Sequence, residues 1–150
     1  MKPRDARDSI AFSVHRYARL QRRHFLNLMA ETGIDLSQEQ WFILNRLRVD
    51  GPQSQVQLTD EAFADRPNLT RMIAKLERKR LLRRTQDPDD GRRMICSLTK
   101  LGEGVHARVA EAAQPARERL FAGLTVSDVN AFCRVLRHLE ERTLDDHVGK

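Results

Sequence analysis

The sequence carries none of the arrangements on which catalysis is usually built: no nucleophile beside a base, no glycine-rich phosphate loop, no cluster of ligating carboxylates. Those absences point away from an enzyme. Cysteine is scarce too. Cys96 and Cys133 stand far apart in apolar settings with no CxxC spacing. That excludes a disulfide framework, and both are expected to be reduced core residues. His15, His24, His106, His138 and His147 show no metal-ligand spacing, so neither a metal nor a cofactor is expected. No apolar run approaches the ~20 residues a membrane helix needs. The opening "MKPRDARDSIAF" is charged where a signal peptide would be greasy. The expected location is the cytoplasm, with no membrane partner. Internal repeats and low-complexity linkers are also missing, so the 150 residues are expected to form one domain.

What the chain does have is positive charge. Lys and Arg number 27 against 21 Asp and Glu, a net charge of +6 and a pI near 10.0. This balance suits a polyanionic partner, provided the cations gather on one surface.

Apolar residues at three-to-four-residue steps, Ile10, Val14, Tyr17, Phe25, Leu28 and Met29, predict a long amphipathic helix over 4–32, with Gly33 as its left-handed cap. "SQEQ" at 37–40 has capping-box spacing and opens a second helix that runs to about Val49. Gly51 and Pro52 stop it. "SQVQ" at 54–57 offers another capping box, for a short helix through about Ala64. In "DRPNLTRMIAKLERKRLL", Asp65 can cap, Pro67 suits a first turn, and Leu69, Ile73 and Leu76 share a face. "LLRRTQ" and "RRMICSL" flank the turn-forming "DPDDG", a hairpin signal. Thr99 caps a long helix containing Val105, Val109, Ala112, Ala116 and Leu120, which Pro115 is expected to bend and Gly123 to end. Thr125, with Asp128 nearby, opens a last helix striped by Val129, Phe132, Val135, Leu136 and Leu139.

A short helix, a tight joint, a second helix and a charged hairpin form a winged helix-turn-helix pattern, in which the second short helix enters a DNA major groove. With Leu69, Ile73 and Leu76 turned inward, Pro67, Asn68, Arg71, Lys75 and Arg78 are carried to the opposite side. Arg and Asn match guanine and adenine edges, while Lys and Thr suit phosphates. Arg92 and Arg93 lie at the hairpin turn, where a protruding tip can place an arginine in a neighbouring minor groove. Asp90 is positioned to orient the Arg92 guanidinium.

These residues resemble the MarR family of transcriptional regulators. The likeness runs from "LTDEAFADRPNLTRMIAKLERKRLL" through "DPDDGRRMICSLTKLG" and includes the family's wing pattern, here Asp90, Arg92, Leu98 and Thr99. It implies a mainly α fold with a small β-hairpin wing, a DNA-binding lobe over 37–99, and an intertwined dimerisation region over 4–33 and 100–148. It also implies that Asn68, Thr70 and Arg71 lie at the DNA-reading end of the recognition helix and that Arg92 is the wing arginine, supported by Asp90. Arg66, Arg93 and, at the start of the supporting helix, Ser54 are candidate phosphate contacts. Ile10, Val14, Tyr17, Val129, Phe132 and Leu136 are candidate dimerisation residues. Phe63 and Arg80 stand where the family commonly carries glycine, and Pro67 where a small polar residue is common.

The resemblance further implies a homodimeric repressor that binds an inverted repeat in double-stranded DNA and is released by a small aromatic or anionic molecule. His15, Arg19, Trp41 and Phe42 are the candidate ligand residues. Some relatives sense oxidants through cysteine, but neither Cys96 nor Cys133 lies beside an activating cluster. The other readings are a winged helix that binds protein and a nonspecific architectural DNA binder. Salt separates the former, because only phosphate neutralisation makes affinity fall steeply with ionic strength.

Overall fold

The computed structural model describes residues 6–59 and 66–148. Helix α1 spans Ala6–Thr32, α2 Gln38–Asp50 and α3 Gln55–Leu58, with a short strand β1 at Gln53–Ser54 between α2 and α3. Helix α4 covers Arg66–Arg78, followed by strands β2, Leu82–Gln86, and β3, Met94–Leu98. Two long helices close the chain, α5 at Lys100–Phe121 and α6 at Val126–Val148.

Most ends fall where local chemistry puts them. Gly33 takes φ 65, and the Ile34 N–H reaches back to the Met29 carbonyl at 3.2 Å, which satisfies an orphan acceptor of α1. Both capping boxes form. Ser37 Oγ accepts from the Gln40 N–H at 3.2 Å while the Ser37 N–H donates to Gln40 Oε1 at 3.1 Å. Ser54 and Gln57 repeat the exchange at 3.2 and 2.8 Å. Thr99 Oγ1 accepts from the Gly102 N–H at 3.0 Å. Thr125 and Asp128 bond reciprocally at the start of α6, and those bonds hold the Asp128 carboxyl below its ordinary pKa.

Two elements differ from expectation. The hairpin is part of a three-stranded antiparallel sheet ordered β1-β3-β2, with Gln53 opposite Cys96 and Ser54 opposite Ile95. A two-residue strand is too short to show alternation, so the stop at Pro52 and the cap at Ser54 concealed it. Helix α3 ends at Leu58 with an extended Thr59, short of the expected Ala64. The predicted cap at Asp65 and the packing of Phe63 lie outside the described residues, as does the Arg66 side chain.

The chain forms two compact units, Met1–Ala113 and Gln114–Lys150, dividing within α5 immediately before Gln114 and Pro115. The first holds the core. Leu44, Leu69, Ile73, Leu76 and Leu82 are buried, joined by Leu28 and Met29 from α1 and Val109 from α5. Burying each such side chain contributes about 1.5–3 kcal/mol. In the second unit the α6 stripe is uncovered. Phe132, Val135 and Leu139 are exposed, and so is Cys133, contrary to the core role expected of it. Its sequence neighbours are apolar, but among the described residues of this unit that face is left exposed.

A close backbone approach joins the α4–β2 connection to the start of α5. Arg80 adopts φ 58, the left-handed conformation, and the Leu81 N–H returns to the Leu76 carbonyl at 3.0 Å to close α4. Thr99 then binds both carbonyls of this joint, Arg80 through its hydroxyl at 2.6 Å and Leu81 through its N–H at 3.1 Å. Gly102 sits over the Leu81 carbonyl so closely that a Cβ there would overlap its oxygen and stand 2.9 Å from its carbon. Arg80→Gly is expected to raise the unfolding free energy by about 0.5–1 kcal/mol, the left-handed cost less glycine's added chain entropy. Gly102→Ala should lower it by about 1–3 kcal/mol through overpacking. Urea midpoints measure both; a neutral Gly102→Ala would show that α5 can back away from Leu81.

Candidate nucleic-acid interface

Helix α4 separates its faces cleanly. Leu69, Met72, Ile73 and Leu76 are buried, while Pro67, Thr70, Arg71, Lys75 and Arg78 are exposed and Asn68 is half-buried. Three of the exposed positions are cationic. The expected inward stripe and outward basic face are therefore both present.

Side chains that sequence reasoning did not single out fix this helix at both ends. Gln55, the first residue of α3, donates to Thr70 Oγ1 at 2.7 Å, so Thr70 holds the supporting helix as well as lying on the outward face. At the other end Glu77 accepts two bonds from Arg84 on β2, at 3.0 and 2.6 Å. This forked pair ties helix to sheet and holds the Glu77 carboxyl below its ordinary pKa. Lys79 reaches the α1–α2 connection, donating to Asp35 Oδ2 at 2.7 Å. Spacing alone reveals none of these pairs, because the partners lie on different elements.

The wing turn, Asp87 to Arg93, is built from carboxylates turned onto backbone. Asp87 Oδ1 accepts from the Asp89 N–H at 2.9 Å and Asp90 Oδ1 from the Arg92 N–H at 3.1 Å. The Asp87 N–H donates to the Arg93 carbonyl at 2.9 Å and closes the loop. Asp90 thus supports the wing by holding Arg92's backbone and not, as expected, its guanidinium. The Arg92 side chain is exposed at the tip and makes no hydrogen bond or ion pair within the described residues. Arg93 is different: its Nη2 donates to Ser54 Oγ at 3.3 Å, and its Nε lies 4.0 Å from Asp87 Oδ2. Ser54, expected to bring free backbone amides of the supporting helix to a phosphate, is itself 1% exposed, and its own N–H and hydroxyl are taken up by the capping box with Gln57.

The four candidate ligand residues do not meet in one recess. Trp41 and Phe42 line a cavity of about 280 Å³ with Tyr17, Gln21 and His24 of α1 and Val109 of α5. His15 and Arg19 line another, of about 270 Å³, with Phe12, Arg16 and Arg23. The helical period explains the split, since Tyr17 and Gln21 lie on the opposite side of α1 from His15 and Arg19. Trp41 stacks on His106, ring centroids 4.7 Å apart and 15° from parallel, and His106 Nε2–H donates to Asn45 Oδ1 at 3.0 Å. Burial, then the charge of Arg48, lowers the His106 pKa.

Cys96 lies opposite Arg84 in the sheet and is fully buried. Burial raises its pKa to about 11, outweighing the opposing pull of Arg84. An iodoacetamide pulse at pH 8 should leave Cys96 unmodified in the folded protein, where roughly 0.1% is thiolate, and modify it fully once the protein is unfolded. Native-state alkylation, read by peptide mass, would contradict this burial.

Comparison with known proteins agrees with the geometry. The sequence pattern of the MarR family matches residues 36–94. The transcriptional regulator HosA of Escherichia coli O111:H- is 27% identical over 105 residues, 70% of this chain and 78% of HosA. Among solved structures, the PcaV transcriptional regulator from Streptomyces coelicolor, in complex with its natural ligand, is 26% identical. It superposes with a TM-score of 0.65, over 94% of this chain and 98% of PcaV. A mutant MarR from E. coli complexed with operator DNA shares the fold at 21% identity. Its TM-score is 0.72, over 91% of this chain and 99% of that one.

Proposed function

We propose that this chain, which belongs to the MarR family of transcriptional regulators, is a sequence-specific repressor that binds an inverted-repeat operator as a homodimer. The observation that carries the reading is the outward face of α4, where Asn68, Thr70, Arg71 and Lys75 stand over a buried apolar stripe, with the exposed Arg92 on the adjoining wing. Residues 37–99 supply the DNA-binding lobe. Residues 4–33 and 100–148 supply the dimerisation region, in which the exposed Ile10, Val14 and Tyr17 of α1 and the exposed Phe132 and half-buried Val129 and Leu136 of α6 are covered by a second copy. One winged helix reads few base pairs, so two copies on a two-fold site supply useful affinity.

Selection of duplexes from a random library at near-physiological salt tests this reading directly. Enrichment of an inverted repeat with half-sites about one helical turn apart is expected. Retention without a motif would mean a nonspecific architectural binder, and no retention by folded protein would favour a protein partner. On the selected duplex, Arg92→Ala should weaken binding by roughly 1–3 kcal/mol, most where the minor groove is narrow. Asn68 and Arg71 variants should instead relax preference at one position per half-site. Titrated fluorescence anisotropy gives both numbers; unchanged affinity in Arg92→Ala would remove the wing from the interface.

The repressor is released by a small aromatic molecule in the recess beside Trp41, whose polar end meets Tyr17, Gln21 and His24. PcaV, solved in complex with its natural ligand, supports regulation by a bound ligand. Trp41 is the single tryptophan, so its fluorescence reports occupancy. A small aromatic acid that quenches it should also dissociate the DNA complex over the same concentration range. Release without quenching would place the effector elsewhere.

A further inference from the structure

Arg92 and Arg93 are adjacent, alike in the sequence and at the same turn, yet the structure treats them differently. Arg92 ends in solvent. Arg93 folds back over the base of the wing, with Nη2 donating to Ser54 Oγ at 3.3 Å and Nε 4.0 Å from Asp87 Oδ2. Both partners are sheltered: Ser54 is 1% exposed and the Asp87 side chain 14%. Were Arg93 to swing out to a phosphate, it would leave a largely buried carboxylate without its cation.

The site that receives Arg93 is rigid. Ser54 Oγ is fixed by the capping box, accepting from the Gln57 N–H at 3.2 Å, and its remaining lone pair faces Arg93. Its neighbour Gln55 donates to Thr70 on the recognition helix at 2.7 Å. Asp87, Arg93, Ser54, Gln55 and Thr70 thus form a connected path from the base of the wing to α4. Beyond Met94 and Gln86 the wing has only its turn to hold it, and a projecting two-stranded ribbon is only marginally stable alone. A planar guanidinium can hold a hydroxyl and a carboxylate in fixed directions at once, which a lysine ammonium cannot do as well.

We propose that Arg93 is a positioning residue and not a DNA contact: it tethers the wing to the start of α3 through Ser54 and Asp87, and so sets the direction in which Arg92 leaves the tip. This rests on the DNA-binding reading above. It removes Arg93 from the phosphate contacts expected of it and assigns the groove-reading role on the wing to Arg92 alone.

The test is anisotropy titration of the selected inverted-repeat duplex, over a potassium chloride series, with full-length protein. Asp87→Asn is the most informative variant. It keeps the carbonyl oxygen that the Asp89 N–H uses but removes the charge that holds Arg93. If Arg93 were a phosphate contact, neutralising its internal rival would free it, and removing a negative charge would itself favour DNA; binding would tighten. The tether requires the opposite, a loss of about fivefold, matched by Arg93→Gln and partly restored by Arg93→Lys. In an Arg92→Ala background neither change should cost anything more, and Arg93→Gln should leave the log-log salt slope unchanged. A further fall of about 0.9 in that slope would mark Arg93 as a phosphate contact and overturn the proposal. Tighter binding by Asp87→Asn at an unchanged urea midpoint would overturn it too. If wild-type protein fails to bind any selected duplex, the DNA-binding reading fails and the tether falls with it; wild-type binding with additive Arg92 and Arg93 losses sinks the tether alone.

Discussion

The structure turns on the joint where α4 ends and α5 begins. Leu81 gives its N–H to Leu76 and its carbonyl to Thr99, Arg80 gives its carbonyl to the Thr99 hydroxyl, and Gly102 leaves room for that arrangement by having no side chain. Five residues thereby fix the end of the recognition helix, the first wing strand and the start of α5 relative to one another. Because Leu81 and Leu82 are buried on the same core as Leu76 and Ile73, displacement here would disturb the packing under α4 as well. Thr99 thus both closes the sheet against Leu81 and caps the helix that follows.

Two further polar contacts hold the helix that ends at this joint. Glu77 and Arg84 hold the C-terminal part of α4 to β2, and Gln55 and Thr70 hold its N-terminal part to α3. A reading helix must present its outward side chains within a narrow range of angles, and two clamps about two turns apart, at Thr70 and Glu77, restrict its rotation beyond what apolar packing does. The wing extends the same logic, with Asp87 and Asp90 spent on backbone N–H groups and Arg92 left exposed at the tip.

Local signals were legible and cross-element signals were not. Capping boxes at Ser37 and Ser54, the left-handed Gly33 and the cap at Thr99 follow from residues within four positions of each other. The stripe Leu69, Ile73 and Leu76 announced the buried face of α4 by period alone. By contrast, β1 is two residues long, and Glu77–Arg84, Gln55–Thr70 and Arg93–Ser54 join residues 7, 15 and 39 positions apart. Ser54 shows the limit well. Its capping role was readable, whereas its burial depends on a strand partner that sequence spacing does not reveal. Cys133 failed for the complementary reason: an apolar neighbourhood in sequence is not a covered one in space.

The uncovered stripes support the proposed dimer. Helix α1 buries Phe25, Leu28 and Met29 near its C-terminal end but leaves Ile10, Phe12, Val14 and Tyr17 in solvent. Helix α6 exposes Phe132, Val135 and Leu139 along its length. A monomer would carry this apolar area at a cost of about 25 cal/mol for each Å² left in water, and contiguous patches of this kind mark interaction surfaces. Half of a two-fold reader also gains little from a well-positioned wing, because each module contacts only a few base pairs. Rigid clamping around α4 and the separate apolar stripes of α1 and of α6 are complementary in the proposed homodimer: the first fixes what each half-site contact can be, and the second would fix how far apart two such contacts stand.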